Sequence, residues 1–155
     1  MKMNDQQKLD ILIQALQERN ASVHTIRERV QTVSLWILGL LLASSGYIFQ
    51  SNICFDKIQK IALAIFVLIV WLVIRKYYFA DLEKGFNNQR KILAKIENAL
   101  GFYEEAFFNE EKESIYPKEW KKSGQKGSEG KFFENSYNLL AVGFGILVFT
   151  ILLFS

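Results

Sequence analysis

Lys84, Lys91 and Lys95, together with Asn88, recur at helical spacing, so a helix through them would carry them on one face. Arg19, Arg27 and Arg29 add positive charge in an earlier segment. Ammonium and guanidinium groups gathered in this way suit phosphate oxygens, those of a nucleotide or an oligonucleotide, and in a symmetric assembly they would form a positive ring. A second reading stays open. The same residues can be a solvated face whose partners are Glu18, Glu28, Glu83, Glu97 and Glu104, aided by contact with anionic lipid. Covalent chemistry finds little to work with. The chain has one histidine, His24, and one cysteine, Cys54, whereas metal sites need several clustered ligands and a catalytic triad needs a base beside its nucleophile. His24, next to Val23 and near Arg27, reads as a surface or interface histidine. The residues therefore point to binding rather than to an enzyme, with no metal and no cofactor.

Three apolar runs must position those charges: Val33 to Phe49, Ile61 to Ile74 (reaching to about Ile58 and Phe79), and Leu139 to Phe154. None carries a charge in its apolar core. A span of lipid takes about 20 apolar residues, about 17 at the short end, and backbone groups there must be satisfied within a helix. The fold class expected is an all-α membrane protein with three transmembrane helices, the first two continuing as a cytoplasmic antiparallel, coiled-coil-like hairpin. Its parts are an N-terminal helix over 1–30, a first span over 31–50, an external loop over 51–57 and a second span over 58–79. A cytoplasmic helix over 80–108, a mobile loop over 109–135 and a third span over 136–154 complete it. At 155 residues the chain has room for one domain. Mean hydropathy is only +0.09 because polar residues are concentrated outside the runs. A net charge of +3 is too small for bulk coating of nucleic acid.

Basic residues set the expected topology. Lys2, Lys8, Arg19, Arg27 and Arg29 precede the first run, only Lys57 and Lys60 lie between the first two, and the other twelve fall between the second and third. This places the N-terminus and the long segment in the cytoplasm, the 51–57 loop and Ser155 outside, and the chain in a bacterial inner membrane. Trp36 and Trp71 then fall at similar depth, with Tyr77, Tyr78 and Tyr137 at the cytoplasmic interface. No secretory signal is expected, and lone Cys54 excludes an intrachain disulfide.

Two heptad seams extend the spans. Leu9, Leu12, Leu16, Arg19, Val23, Ile26 and Val30 alternate by three and four, and continue through Val33, Ile37 and Leu40. Leu82, Phe86, Gln89, Leu93, Ile96, Leu100, Tyr103 and Phe107 do the same, with Gly101 beside the seam as a point of kinking. Arg19 stands in the seam, where a charge costs stability unless paired or wet. The seams either bury one another within a subunit or turn one face to other subunits; a two-helix core is thin, which favours a homo-oligomer. The stretch from about Asn109 to Gly130 lacks an apolar period, apart from a patch of Ile115, Tyr116 and Trp120 around Pro117. Gly143 and Gly145 read as helix-packing sites, and Ser34, Ser44, Ser45 and Thr150, with Gly39, Ala43 and Gly46, as packing or a mildly polar pore lining. The absence of intramembrane ionisable residues and of inverted repeats argues against an active transporter.

Ile26-Arg27-Glu28-Arg29 leading into Trp36-Ile37-Leu38-Gly39-Leu40, then Leu82-Glu83-Lys84-Gly85-Phe86 and Lys95-Ile96-Glu97-Asn98-Ala99-Leu100-Gly101, resembles small bacterial membrane effectors of anti-phage defence. These include the SLATT-like two-span proteins, and the pattern is closer still to the channel subunit of the Hailong system, over roughly residues 5–108. The resemblance implies an oligomeric, tetrameric ion channel gated by a DNA oligomer or cyclic nucleotide from a partner nucleotidyltransferase, which depolarises the inner membrane. The third span departs from the two-span pattern. The alternative from another class is a non-conducting membrane scaffold whose helical hairpin docks a protein partner.

Overall fold

A computed structural model of the chain describes residues 4–51, 54–106, 113–125 and 131–154, and all regular structure among them is helical. Helix α1 runs Asp5–Gln50 and α2 runs Lys57–Val73. A π-helical turn, Ile74–Phe79, leads directly into α3, Ala80–Ala99. A 3-10 turn, Lys118–Lys122, precedes α4, Phe132–Phe154. Three stretches are long and apolar enough to cross a membrane: Asp5–Gln50, the continuous Lys57–Ala99, and Phe132–Leu153.

Local chemistry explains each boundary. At the start of α1, Gln7 Oε1 accepts from Asn4 N at 3.1 Å, and no glycine or proline interrupts the helix before Gly39. Asp56 caps α2 through a capping box with Gln59, which satisfies backbone donors that a helix start leaves open. The second helix continues beyond Phe79, as expected, but through the wider π turn, with Ala80 N–H bonding Arg75 O five residues back. Where the sequence suggests a helix to Phe108, the structure ends it at Ala99. The reason is Gly101, at φ +78°. Its N–H bonds Asn98 O at 3.1 Å while Phe102 N–H bonds Glu97 O at 3.1 Å, the paired bonds of a left-handed glycine stop rather than a kink. Phe107 and Phe108 lie outside the described residues. Helix α4 starts at Phe132, earlier than the expected 136, because Lys131 O already accepts from Asn135 N at 2.8 Å and Phe133 is buried in the first turn.

The chain divides into two compact units, Met1–Arg27 with Lys84–Gly130 and Glu28–Glu83 with Lys131–Ser155. In the second, α2 packs against α4. Trp71 lies on Phe144 with ring centroids 5.1 Å apart and is buried in the core, whereas Trp36 is 71% exposed. Helix α1 meets α4 at Gly143, where an added Cβ would stand 2.8 Å from Leu38 Cδ1. Nothing lies within 4 Å of a Cβ built at Gly39, Gly46 or Gly145, so within one chain these three are not packing sites. Ser34, Ser45 and Thr150 are buried. Ser45 and Thr150 bond back to Leu41 O and Ile146 O, at 2.8 and 2.9 Å, so they serve packing and do not line an opening within the chain. Ser44 alone of that set is exposed. Around this core, Leu35, Leu40, Phe66, Leu72, Val142 and Phe149 stand outward, an apolar surface of the kind lipid or another subunit covers.

At the end of this unit, Phe79 is fully buried, edge-on to Tyr137 at 5.8 Å. Tyr137 donates to Glu83 at 2.7 Å and lies under the Arg75 guanidinium at 5.5 Å.

Two substitutions test these boundaries. Gly101→Ala forces a Cβ into the left-handed region and is expected to cost about 1 kcal/mol; an unchanged thermal midpoint in detergent would refute the stop. Ser34 Oγ finds no partner among the described residues, so Ser34→Ala is expected to leave thermal stability equal or higher, by about 1 kcal/mol.

Candidate anion-binding surface

In the unit holding Met1–Arg27 and Lys84–Gly130, α3 organises everything. At about 100° per residue, its side chains sort into three stripes. Leu93, Ile96 and Leu100 are buried, with Phe86 and Gln89 half-buried, on the stripe that meets α1. Ile26 Cδ1 stands 3.9 Å from where a Gly85 Cβ would be, and Arg19 Nη1 donates to Gln89 Oε1 at 3.0 Å. Leu9, Leu12, Ile13 and Leu16 share an open apolar groove with Ala99, Leu100 and Phe102.

The second stripe holds Asn87, Arg90, Ala94 and Glu97, and the segment 113–125 lies against it. This segment, part of the loop expected over 109–135, is held as a strap by two sets of contacts; the parts of that loop at 109–112 and 126–130 lie outside the described residues. One pin is aromatic. Tyr116 N–H bonds Phe102 O at 3.0 Å, and the Tyr116 ring meets Phe102, Tyr103 and Trp120 at 5.2, 6.0 and 5.5 Å. The other pin is steric and polar. Gly124, at φ +75°, sits so close to α3 that a Cβ would lie 2.4 Å from Asn87 O and 2.8 Å from Lys91 N. Beside it Arg90 Nη2 donates to Ser123 Oγ at 3.0 Å. Between the pins, buried Glu97 accepts a short hydrogen bond from the Tyr103 hydroxyl. Burial, then that bond, hold the Tyr103 phenol well above its usual range. At the exposed edge Lys118 pairs with Glu105, whose carboxyl is held below its usual range by that hydrogen bond.

The third stripe is Lys84, Asn88, Lys91 and Lys95, all exposed. Among the described residues none of its lysines makes an ion pair. Of the carboxylates that a solvated face would pair with, Glu97 accepts from Tyr103, Glu83 from Tyr137 and Glu18 from Gln14, while Glu28 and Glu104 are exposed. The structure thus keeps the four stripe residues together on one open face and separates them from Arg19, which is turned into the seam and satisfied by a neutral amide. Arg27 and Arg29 are exposed. Of the seam residues, Val23, Val30, Leu93, Ile96 and Leu100 are buried, Leu12, Leu16, Ile26, Leu82 and Phe86 are half-buried, and Leu9 is exposed.

Sequence reasoning assigned no role to Arg90 and Ser123, placed Gly124 in a loop, and read Tyr103 as a seam residue and Glu97 as a solvated charge partner, whereas the structure uses them to fix the strap and the turn it meets. A signal was present. Asn87, Arg90, Ala94 and Glu97 repeat at three and four like the apolar seam, one step round the helix.

The chain matches no family model, no curated protein and no solved structure.

Tyr103→Phe leaves the Glu97 carboxylate buried without its donor, an expected cost of about 1–3 kcal/mol. The phenol also gives the unit an alkaline limit. In the unfolded chain it ionises near its ordinary value of about 10, while the folded environment keeps it neutral. The unfolded state therefore binds fewer protons above that value, and stability falls as pH rises past about 10. Denaturant midpoints measured from pH 8 upward should show this slope in the parent protein and a shallower one in Tyr103→Phe; identical slopes would show that Tyr103 is not its source.

Proposed function

We propose that the protein is an oligomeric membrane effector that forms an ion channel gated by a nucleotide or DNA oligomer bound on the Lys84–Lys95 stripe. The observation that carries this reading is the row of exposed lysines that make no ion pair among the described residues, on a helix continuous with an apolar stretch long enough to cross a bilayer. A phosphate-rich ligand is the chemistry such a row attracts. Antiparallel pairing of the two helical extensions is supported by the order of contacts, Ile26 by Gly85, Arg19 by Gln89, and Leu9 to Leu16 by Ala99 to Phe102. In this reading the N-terminus and the stripe face the cytoplasm and the chain acts without catalysis. Its assembly, tetrameric by resemblance, places the lysines around the inner mouth, and opening depolarises the inner membrane during anti-phage defence.

One observation favours a second reading. The open groove of Leu9, Leu12, Ile13 and Leu16 is an apolar surface outside the spans, which a non-conducting scaffold would use to dock a protein.

Ion flux from liposomes containing purified protein separates the two. The channel reading expects flux that changes when short single-stranded DNA or a cyclic nucleotide is added, and expects Lys84→Glu, Lys91→Glu, Lys95→Glu in one chain to abolish that response. A verified oligomer that passes no ions under any of these conditions is a scaffold.

A further inference from the structure

The strap is placed to form a second wall beside the lysine stripe. Its pins run opposite to the direction of α3: Tyr116 sits by Phe102, and Gly124 by Asn87 and Lys91. The turn between them, which holds Trp120 and Lys121, therefore lies alongside the stretch of α3 that carries Lys91 and Lys95. The stripe on which the strap sits is roughly a third of a turn round the helix from the lysines, and Gly124 lies directly against the Lys91 backbone, so the strap borders the lysine face. Trp120 is 50% exposed although an indole is costly to leave in water, while Tyr116 supports its ring from the strap side. Lys121 is exposed next to it.

Resting on the reading above, we infer that Trp120 and Lys121 complete the site, and that its ligand is a single-stranded oligonucleotide. One base stacks on the indole, while the backbone phosphates lie along Lys91, Lys95 and Lys121. An aromatic face beside a row of cations is the general means of holding single strands without reading sequence. Lysines a helical turn apart hold charges about 5–6 Å apart for a polyphosphate backbone to follow. A bilayer surface would use the cations alike but has no base to stack.

The test is fluorescence anisotropy of a labelled short oligothymidylate against the full-length protein in neutral detergent, across a salt series. Trp120→Ala is expected to weaken binding about tenfold with little change in salt slope, and Trp120→Phe to retain most of the affinity. Lys121→Glu, which leaves the Tyr116 contact intact, keeps the test valid if Trp120→Ala loosens the strap. It is expected to weaken binding and lower the salt slope by about one. Parent-like binding by both Trp120→Ala and Lys121→Glu, with the triple lysine reversal inactive, overturns the strap's role and leaves the stripe reading standing. Parent-like binding by the triple reversal overturns the stripe and the strap together. Binding of the parent to phosphatidylglycerol vesicles but not to the oligonucleotide overturns the inference in favour of a lipid surface.

Discussion

The outward apolar surface of the Glu28–Glu83 and Lys131–Ser155 unit is the constraint on which the rest depends. Side chains such as Leu40, Phe66, Leu72 and Phe149 stand away from the core. In water each would forfeit roughly 25 cal/mol for every Å² left uncovered. An apolar surrounding removes that cost but offers no water for backbone groups, which is why helix is the only regular structure these stretches can adopt. It also explains the economy of the core. Where lipid is as apolar as leucine, helices gain by close fit more than by burial, so α1 comes against α4 at Gly143 and hydroxyls turn back on their own helix.

The other unit obeys the opposite rule. Its α3 is amphipathic, with apolar, mixed and basic stripes, so it must divide its faces among different neighbours. It hides two, one against α1 and one beneath the strap, and the third is left to the lysines. The strap is held by few but specific contacts. A left-handed glycine allows backbone to meet backbone at Asn87 and Lys91, and Tyr116 bonds Phe102 and packs on Tyr103, whose hydroxyl in turn satisfies the buried carboxylate of Glu97. A buried carboxylate without a donor would destabilise the unit. With one, it ties the chain beyond the helix stop at Gly101 to the helix before it. The same arrangement turns the Glu97 side chain inward, away from the open face that carries the lysines.

Much of this was legible in the residue order. The apolar runs marked three spanning-length helices because length and lack of charge suffice for that inference. The seams located Leu93, Ile96 and Leu100 on the face that meets α1, because heptad spacing reports the side of a helix directly. The lysine stripe was visible for the same reason. Gly101 drew notice, but whether a glycine bends or stops a helix depends on its φ, which spacing does not carry. The strap was illegible because its contacts join residues distant in the chain, Tyr116 to Phe102, Arg90 to Ser123 and Gly124 to Asn87, with no period to announce them.

Sequence alone therefore determined the elements that follow from local and periodic chemistry: the long apolar helices and the side of α3 that carries positive charge. Tertiary structure alone decided how those elements share their surfaces. It put Trp71 in the core, took Arg19 out of the charged face, and laid the 113–125 segment along α3. These outcomes depend on which distant groups arrive at hydrogen-bond or van der Waals distance, and a linear pattern records the chemistry of each group without recording what it will meet.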